Sequence, residues 1–583
     1  MGCTLHHTAL LARSIPLTYH VIMAADLHKK SRSRFTREHG CPTIDRAAPL
    51  RFALAFPNVY AVGMASLGFQ LVYQMLNIAP NASCERVFLP DPNDLEEHAR
   101  SRTELFTIES LSPLSEFDVV AFSICFEMDY LNVLRMLQLA NIPVRSAQRD
   151  ESHPLVIAGG AGPTINPEPL ADFIDAFVIG DAEEALPALV NALEVSQGGA
   201  RQDVLATLAT IPGVYVPMLY RVNYGQSGDL LGVSAVDPAP EKVVRAVVRD
   251  LVAHPANSVI GTPEAEFGDI QLVEIVRGCG RQCRFCAAGY VTRPPRFRRF
   301  AEPPPDSRLG LVGAAVFDHP DAESICESIV AAGREFSVSS LRLETVTPHL
   351  ARLMVRGGQK TLTIAPEAGT DRLCKVVNKD AGELSIFSAV SAATQAGFQS
   401  VKLYFMIGLP SETDEDVESI VDLVRRLARQ FHSINFRVSA SCFVPKPWTP
   451  FQWHPMEKES ILKRRYSALK KNVSVIPGVK FSGESPRLSL IQGHLSRGDR
   501  RMGELLLAAL ENGGDYAAAL RETTINSCRH LHRLRTPEEV LPWDHIDMRL
   551  SKNYLWGEYQ KALKGETTAP CNPEVCRACG ACV

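Results

Sequence analysis

The chain has 583 residues, of which 46% are hydrophobic and 22% charged, and its formal net charge is −4. That length suits roughly two to four domains, the composition is ordinary for a globular chain, and the small net charge excludes a global attraction to nucleic acid or anionic membranes. The most apolar uncharged stretch, residues 204–220, is broken by Pro212 and Pro217, so no membrane span is read, and a cytoplasmic location is expected.

The first 37 residues hold six Lys or Arg and one acid, Asp26. Residues 1–48 are read as a disordered tail or an over-long start with Met23 as initiator, ahead of a transit peptide. Residues 49–200 then alternate strands and helices. RFALAF (51–56), DVVAFSI (118–124), PLVIAGG (154–160) and the start of DAFVIGD (175–181) are apolar runs ending in turn residues; helical spacing follows at 66–76, 130–140 and 182–193. Such alternation predicts a doubly wound, Rossmann-like parallel sheet. Gly159 and Gly160, at a strand end, permit close approach of a ligand or form a tight turn. Residues 201–268 lack a helical period and read as an irregular or β-rich linker.

Alternation resumes over 269–450. Strands are expected at 271–276, 310–316, 339–345, 361–366, 401–408 and 434–441, which predicts a partial (β/α)6 barrel with its chemistry at the C-terminal strand ends. Residues 451–562 read as mostly helical, and 563–583 as a cysteine-rich metal-binding tail.

Fifteen cysteines in a chain with short CxxC-type spacings favour metal over disulfides. Cys279, Cys283 and Cys286 form CxxxCxxC directly after the first barrel strand. Three thiolates at that spacing can hold three irons of a four-iron cubane and leave the fourth open. Zinc is the alternative, but it needs a fourth ligand, and residues 277–290 contain no further Cys or His.

This motif, with aromatic Phe285 before its third cysteine, resembles the signature of the radical S-adenosylmethionine (SAM) superfamily. The wider segment EIVRGCGRQCRFCAAGYVTRPPRFR is similar to a subgroup with an N-terminal cobalamin-binding-like domain. TIAPEAGTDRL (363–373), YFMIGLPSETDED (404–416) and FVPKPWTPFQW (443–453) resemble its later barrel segments, in order. The resemblance implies an oxygen-sensitive enzyme whose 4Fe-4S cluster reductively cleaves SAM to a 5′-deoxyadenosyl radical. An electron donor such as flavodoxin or ferredoxin is implied as partner. It also implies that Glu367 and Lys379 contact the ribose or carboxylate of SAM, that Ile407 and Gly408 touch its adenine by their backbone, and that Phe285 walls it. The superfamily's Gly-Gly-Glu motif is missing; the matching stretch reads GLVGAAVFDHP, where backbone from Ala314 to Phe317 is the substitute. The N-terminal resemblance leaves two readings open, a bound cobalamin or a fold that has lost it, since a D-x-H-x-x-G segment is absent.

Cys571, Cys576, Cys579 and Cys582 are spaced C-x4-C-x2-C-x2-C, compatible with a second iron–sulfur cluster, a zinc site or an unmetallated end. Seven arginines between 277 and 299, with no acid among them, either face RNA or balance carboxylates and an anionic cluster; the second is preferred. Cys374 and Cys442 read as packing before radical quencher or methyl acceptor. The substrate is not readable. Hydrogen abstraction or cobalamin-assisted methyl transfer leads; a methylthiotransferase-like modifier of RNA or protein and a non-catalytic iron–sulfur and cobalamin sensor are the alternatives.

Overall fold

The computed structural model describes residues 17–300, 307–379 and 381–582. Its N-terminal sheet runs β2-β1-β3-β4-β5-β6, with β1 Leu50–Phe56, β2 Ala82–Phe88, β3 Val119–Ser123, β4 Leu155–Gly159, β5 Ala176–Val178 and β6 Val214–Tyr215. The first five are parallel and β6 is antiparallel to β5. Apolar side chains fill both faces of β1, as a parallel strand covered on both sides requires. Phe52, Leu54, Ile157 and Val178 pack under the helices Leu67–Ile78, Ala182–Val195 and Arg201–Ala209. Ala53, Ala55, Val120 and Phe122 face the other way, into a core continuous with that of the barrel. The order 2-1-3-4-5 puts the topological switch point, where such sheets bind ligands, between β1 and β3.

Strand β2 was hidden from the apolar reading by Glu85 and Arg86. Both are buried and answered: Arg86 lies 2.6 Å from Glu38 and 2.7 Å from Glu109, and Glu85 accepts from Thr107 and Ser110. The expected tail is also corrected. Leu17–Phe35 is helical, Leu27 and Ser31 are buried, and Glu38 belongs to the Arg86 cluster. Residues 1–16 lie outside the described residues.

The expected linker is more ordered than its sequence suggests. Helix Arg201–Ala209 opens it, the hairpin of β7 Tyr220–Tyr224 and β8 Leu230–Ala235 follows, and β9 Val243–Val244 later pairs with a distant strand. The helix buries Val204, Leu205, Leu208 and Ala209, a cluster too short to show a period.

The barrel is built from β10 Ile270–Arg277, with the short antiparallel β11 Arg296–Phe297 on its edge, then β12 Arg308–Gly313, β13 Phe336–Val338, β14 Thr361–Glu367, β15 Ser400–Ile407 and β16 Asn435–Cys442. These six main strands are parallel within two four-stranded sheets, bridged by Leu341 against Ile364. The third expected strand is displaced. Strand pairing is at 336–338, one bridge follows at Leu341, and Leu343–Thr345 is a 3-10 turn. Buried Leu341 and Leu343 satisfy the alternation either way, while Arg342 turns to Asp318 at 3.3 Å. A further strand, β17 Val479–Gly483, extends the sheet beyond β16, and β18 Ile546–Asp547 pairs with β9. Beyond residue 451 helices dominate, from Glu459–Ser474 to Lys552–Lys564.

Along β14, β15 and β16 burial alternates. Leu403, Phe405 and Ile407 are sealed beneath the outer helices; Lys402, Tyr404 and Met406 stay partly exposed on the lumen face. The loops after β10 and β14 leave from the C-terminal ends of these strands.

Candidate active site at the C-terminal rim of the barrel

Strand β10 ends at Arg277, and the chain turns at Gly278 with φ +87°. A Cβ there would stand 2.4 Å from the Thr292 carbonyl oxygen, so only glycine makes this turn. The loop that follows carries Cys279, Cys283 and Cys286, all half-buried. It is pinned by its own backbone: Cys286 N–H donates to the Cys283 carbonyl at 3.2 Å, Gly289 N–H to Cys286 at 3.0 Å, and Arg284 N–H to Val377 at 3.0 Å.

Burial pushes the Cys283 thiol up to about 12, and Cys286 and Cys279 add to this while Lys379 opposes it. Burial likewise raises Cys279 and Cys286. The three thiols and Lys379 thus share one electrostatic neighbourhood. Among the described residues, no three Cys, His, Asp or Glu side chains gather around a single-ion site. The donor set fits a group that takes one thiolate per iron, beside a cation that would offset its charge.

Lys379 Nζ lies 2.7 Å from Glu367 Oε1, and both side chains are mostly buried. Glu367 ends β14 at a register shift with φ +69°, a left-handed conformation that a side chain rarely takes. Lys379 and Cys283 line one 580 Å3 cavity, together with Arg281, Arg342, Glu344 and Cys374. Its size suits a ligand of nucleoside dimensions, and its few placed charges suit orientation of polar groups. Ile407 and Gly408 close β15, the neighbour of β14; Gly408 N–H donates to Glu412 at 2.6 Å, and Ile407 faces Cys442 on β16. Phe285 is half-buried against the core. In the stretch that replaces Gly-Gly-Glu, Val316–Asp318 is a 3-10 turn, and Asp318 pairs with Arg281 at 2.8 Å and with Arg342 at 3.3 Å.

Gly159 and Gly160 sit elsewhere. They line a 310 Å3, mainly apolar cavity at the ends of β1, β3, β4 and β5, walled by Leu71, Met75 and Leu189. Gly160 has φ +104°, and a Cβ would meet the Ile124 carbonyl oxygen at 2.5 Å. Arg277, two residues before Cys279, closes one side.

Six of the seven arginines of 277–299 make internal contacts, and Arg299 is exposed. Arg277 pairs with Glu183, Glu274 and Asp181, Arg296 with Asp181, Arg298 with Glu274 and Glu183, and Arg284 with Glu558. Charge balance, the preferred reading, accounts for these side chains. The tail cysteines lie against the cluster loop: Cys571 N–H donates to the Gly280 carbonyl at 2.6 Å. Spacing alone does not show this docking, nor the pairing of Glu558 with Arg284.

Residues 273–424 match the radical SAM superfamily, and residues 68–217 match the family described as radical SAM proteins, N-terminal. The chain belongs to the radical SAM superfamily. It is a radical SAM enzyme, and the 4Fe-4S cluster and SAM are the cofactors this membership implies. An uncharacterised protein of Methanocaldococcus jannaschii is 27% identical over 469 residues, covering 78% of this chain and 90% of its own. Among solved structures, the radical SAM methyltransferase TsrM from Kitasatospora setae, with cobalamin and a [4Fe-4S] cluster bound, aligns over 89% of this chain and 99% of its own at 13% identity and TM-score 0.46. The cobalamin-dependent radical SAM enzyme OxsB aligns over 89% and 79% at 13% identity and TM-score 0.47. Among the described residues, no helix of this radical SAM enzyme is long and apolar enough to cross a membrane.

Proposed function

We propose that this enzyme uses its cluster and SAM together with a cobalamin to transfer a methyl group to an unreactive carbon. The observation that carries the reading is the 310 Å3 apolar cavity at the switch point of the N-terminal sheet, which shares Arg277 with the root of the cluster loop. A mainly apolar slot at that position fits a planar heteroaromatic arm, such as the nucleotide base of cobalamin. Gly159 and Gly160 leave the backbone bare at its mouth. No histidine lines it, so a cobalamin would be held without an axial imidazole from this cavity.

Cys279, Cys283 and Cys286 would hold the cluster. Bound there, the cluster supplies one electron to SAM, and the radical chemistry belongs to that pair. The protein's part is to bind and orient. Lys379 would attract the carboxylate of SAM while Glu367 holds the ammonium in place; the backbone at Ile407 and Gly408 would edge the adenine, and Phe285 would shield the site. Water is restricted by the burial of the Glu367–Lys379 pair. A one-electron donor of the flavodoxin or ferredoxin class is required as partner.

The test is anaerobic reconstitution with iron and sulfide, reduction in the presence of SAM, and titration with cobalamin followed by its visible absorbance. Wild-type protein should release 5′-deoxyadenosine or demethylated SAM, and Cys283→Ala should release neither. Gly159→Phe should lose cobalamin while keeping its iron. A wild-type chain that takes up iron but never cobalamin would end the methyl-transfer reading and leave hydrogen abstraction.

A further inference from the structure

Residues 566–582 leave helix Lys552–Lys564 at Gly565 and run back across the cluster loop. Arg284 Nη2 donates to the Glu566 carbonyl at 2.7 Å. Thr568 N–H donates to Asn378 Oδ1 at 2.8 Å, and Asn378 Nδ2 donates to the Thr568 and Gln282 carbonyls at 3.0 and 3.1 Å. Cys571 is fastened to Gly280, and Ser551 N–H donates to the Cys579 carbonyl at 2.8 Å. Cys571 therefore stands beside the residue that follows Cys279. Cys571, Cys576, Cys579 and Cys582 fall within twelve residues of this docked segment, and Cys576 N–H donates to the Asn572 carbonyl at 2.8 Å.

Packed against the cluster loop that this tail crosses is Arg293, 0% exposed. Its Nε donates to the Gly289 carbonyl at 2.6 Å, its Nη2 to Gln282 Oε1 at 2.6 Å, and its face rests 4.2 Å from the Tyr290 ring centroid. Nη1 has no hydrogen-bond partner among the described residues. The ionisable groups that bear on it are Tyr290, Tyr554 and Cys579, and it in turn acts on Cys571 and Cys582. A buried guanidinium without a carboxylate is costly unless something nearby becomes anionic. Metal-bound thiolates supply that charge.

We propose that Cys571, Cys576, Cys579 and Cys582 hold a second iron–sulfur cluster, balanced by Arg293, which relays electrons to the cluster on Cys279, Cys283 and Cys286. A one-electron donor of the flavodoxin or ferredoxin class is oxidised as the tail cluster is reduced; the tail cluster is reoxidised as the first is reduced. One electron moves in each step, and no bond forms or breaks. The relay rests on the reading that the first cluster is held by the triad.

The full chain is reconstituted anaerobically as wild type, as Cys576→Ser/Cys582→Ser and as a triad variant with all three loop cysteines changed to Ala. Wild type should hold about eight irons, and each variant about four. The tail variant should keep a reduced-cluster resonance that SAM perturbs, and its first cluster should be reduced by flavodoxin about tenfold more slowly. Mössbauer spectra of the wild type, which need no variant, should resolve an all-cysteine cluster beside one whose unique iron responds to SAM. Zinc at the tail, unchanged iron in the tail variant, or an undiminished reduction rate would overturn the proposal. Loss of all SAM-responsive signal from wild type, with tail iron present, would instead overturn the triad reading and with it the relay, leaving only the tail cluster.

Discussion

Lys379 reaches Glu367 while facing the Cys283 and Cys286 thiols, so one ammonium answers a carboxylate and two groups that turn anionic on metal. Burial works against its charge, but Glu367 and Cys283 outweigh that and hold its pKa above the ordinary lysine value. Lys379→Met strips the counter-charge from Glu367. SAM affinity measured by calorimetry should fall by at least about tenfold, and stability by roughly 3–5 kcal/mol, the cost of breaking a buried pair from one side. Glu412, which accepts the Gly408 N–H and pairs with Arg465 at 2.9 Å, is pushed by burial from 4.5 to about 7. A carboxyl that keeps its proton longer in the folded chain than in the unfolded one loses stability as pH climbs from 4.5 to about 7. Thermal melts of Glu412→Gln against wild type should therefore show the variant gaining relative stability across that window and levelling off above it. At this scale the triad was legible because its spacing is itself the chemistry. Glu367 and Lys379 were legible only through resemblance, since a lone Glu and Lys carry no pattern. Arg293 was not legible at all, because its isolation from carboxylates exists only in the fold.

Helix Lys552–Lys564 shows how an element remote in sequence supports the loop. Its Glu558 is 1% exposed on the side chain and meets the fully buried Arg284, between the second and third triad cysteines, at 3.2 Å. Arg284 also donates to the Lys375, Val376 and Glu566 carbonyls, so it joins loop, barrel and tail. Glu558→Ala should destabilise the protein by about 3–5 kcal/mol in denaturant melts, and an apolar residue at 284 as well should recover little of this, because three carbonyls would lose their donor. The apolar runs of β1 and β15 match their strands within one residue, while β12 ends three residues before the expected run does. The misses have specific causes: charged residues inside buried β2, Arg342 leaving the strand line to meet Asp318, and helix Arg201–Ala209 being too short to show a period.

At the scale of the whole molecule, the arginine-rich segment is a clasp. Arg277, Arg296 and Arg298 of the barrel meet Asp181 and Glu183, at the start of an N-terminal-domain helix. The sequence favours charge balance for this run but does not name the acids, because they lie about a hundred positions away and meet it only in the fold. Arg277→Ala and Glu183→Ala, measured singly and together, should show a coupling of about 1–3 kcal/mol in unfolding free energy. The hydrogen bond from Cys571 to Gly280 has a consequence in time as well as in space. The two residues lie about 290 positions apart, and a ribosome adding roughly 5–20 residues per second needs on the order of tens of seconds to travel between them. Throughout that interval the nascent loop is uncovered, so iron delivery to the triad can finish before residues 566–582 emerge and shut the door behind it.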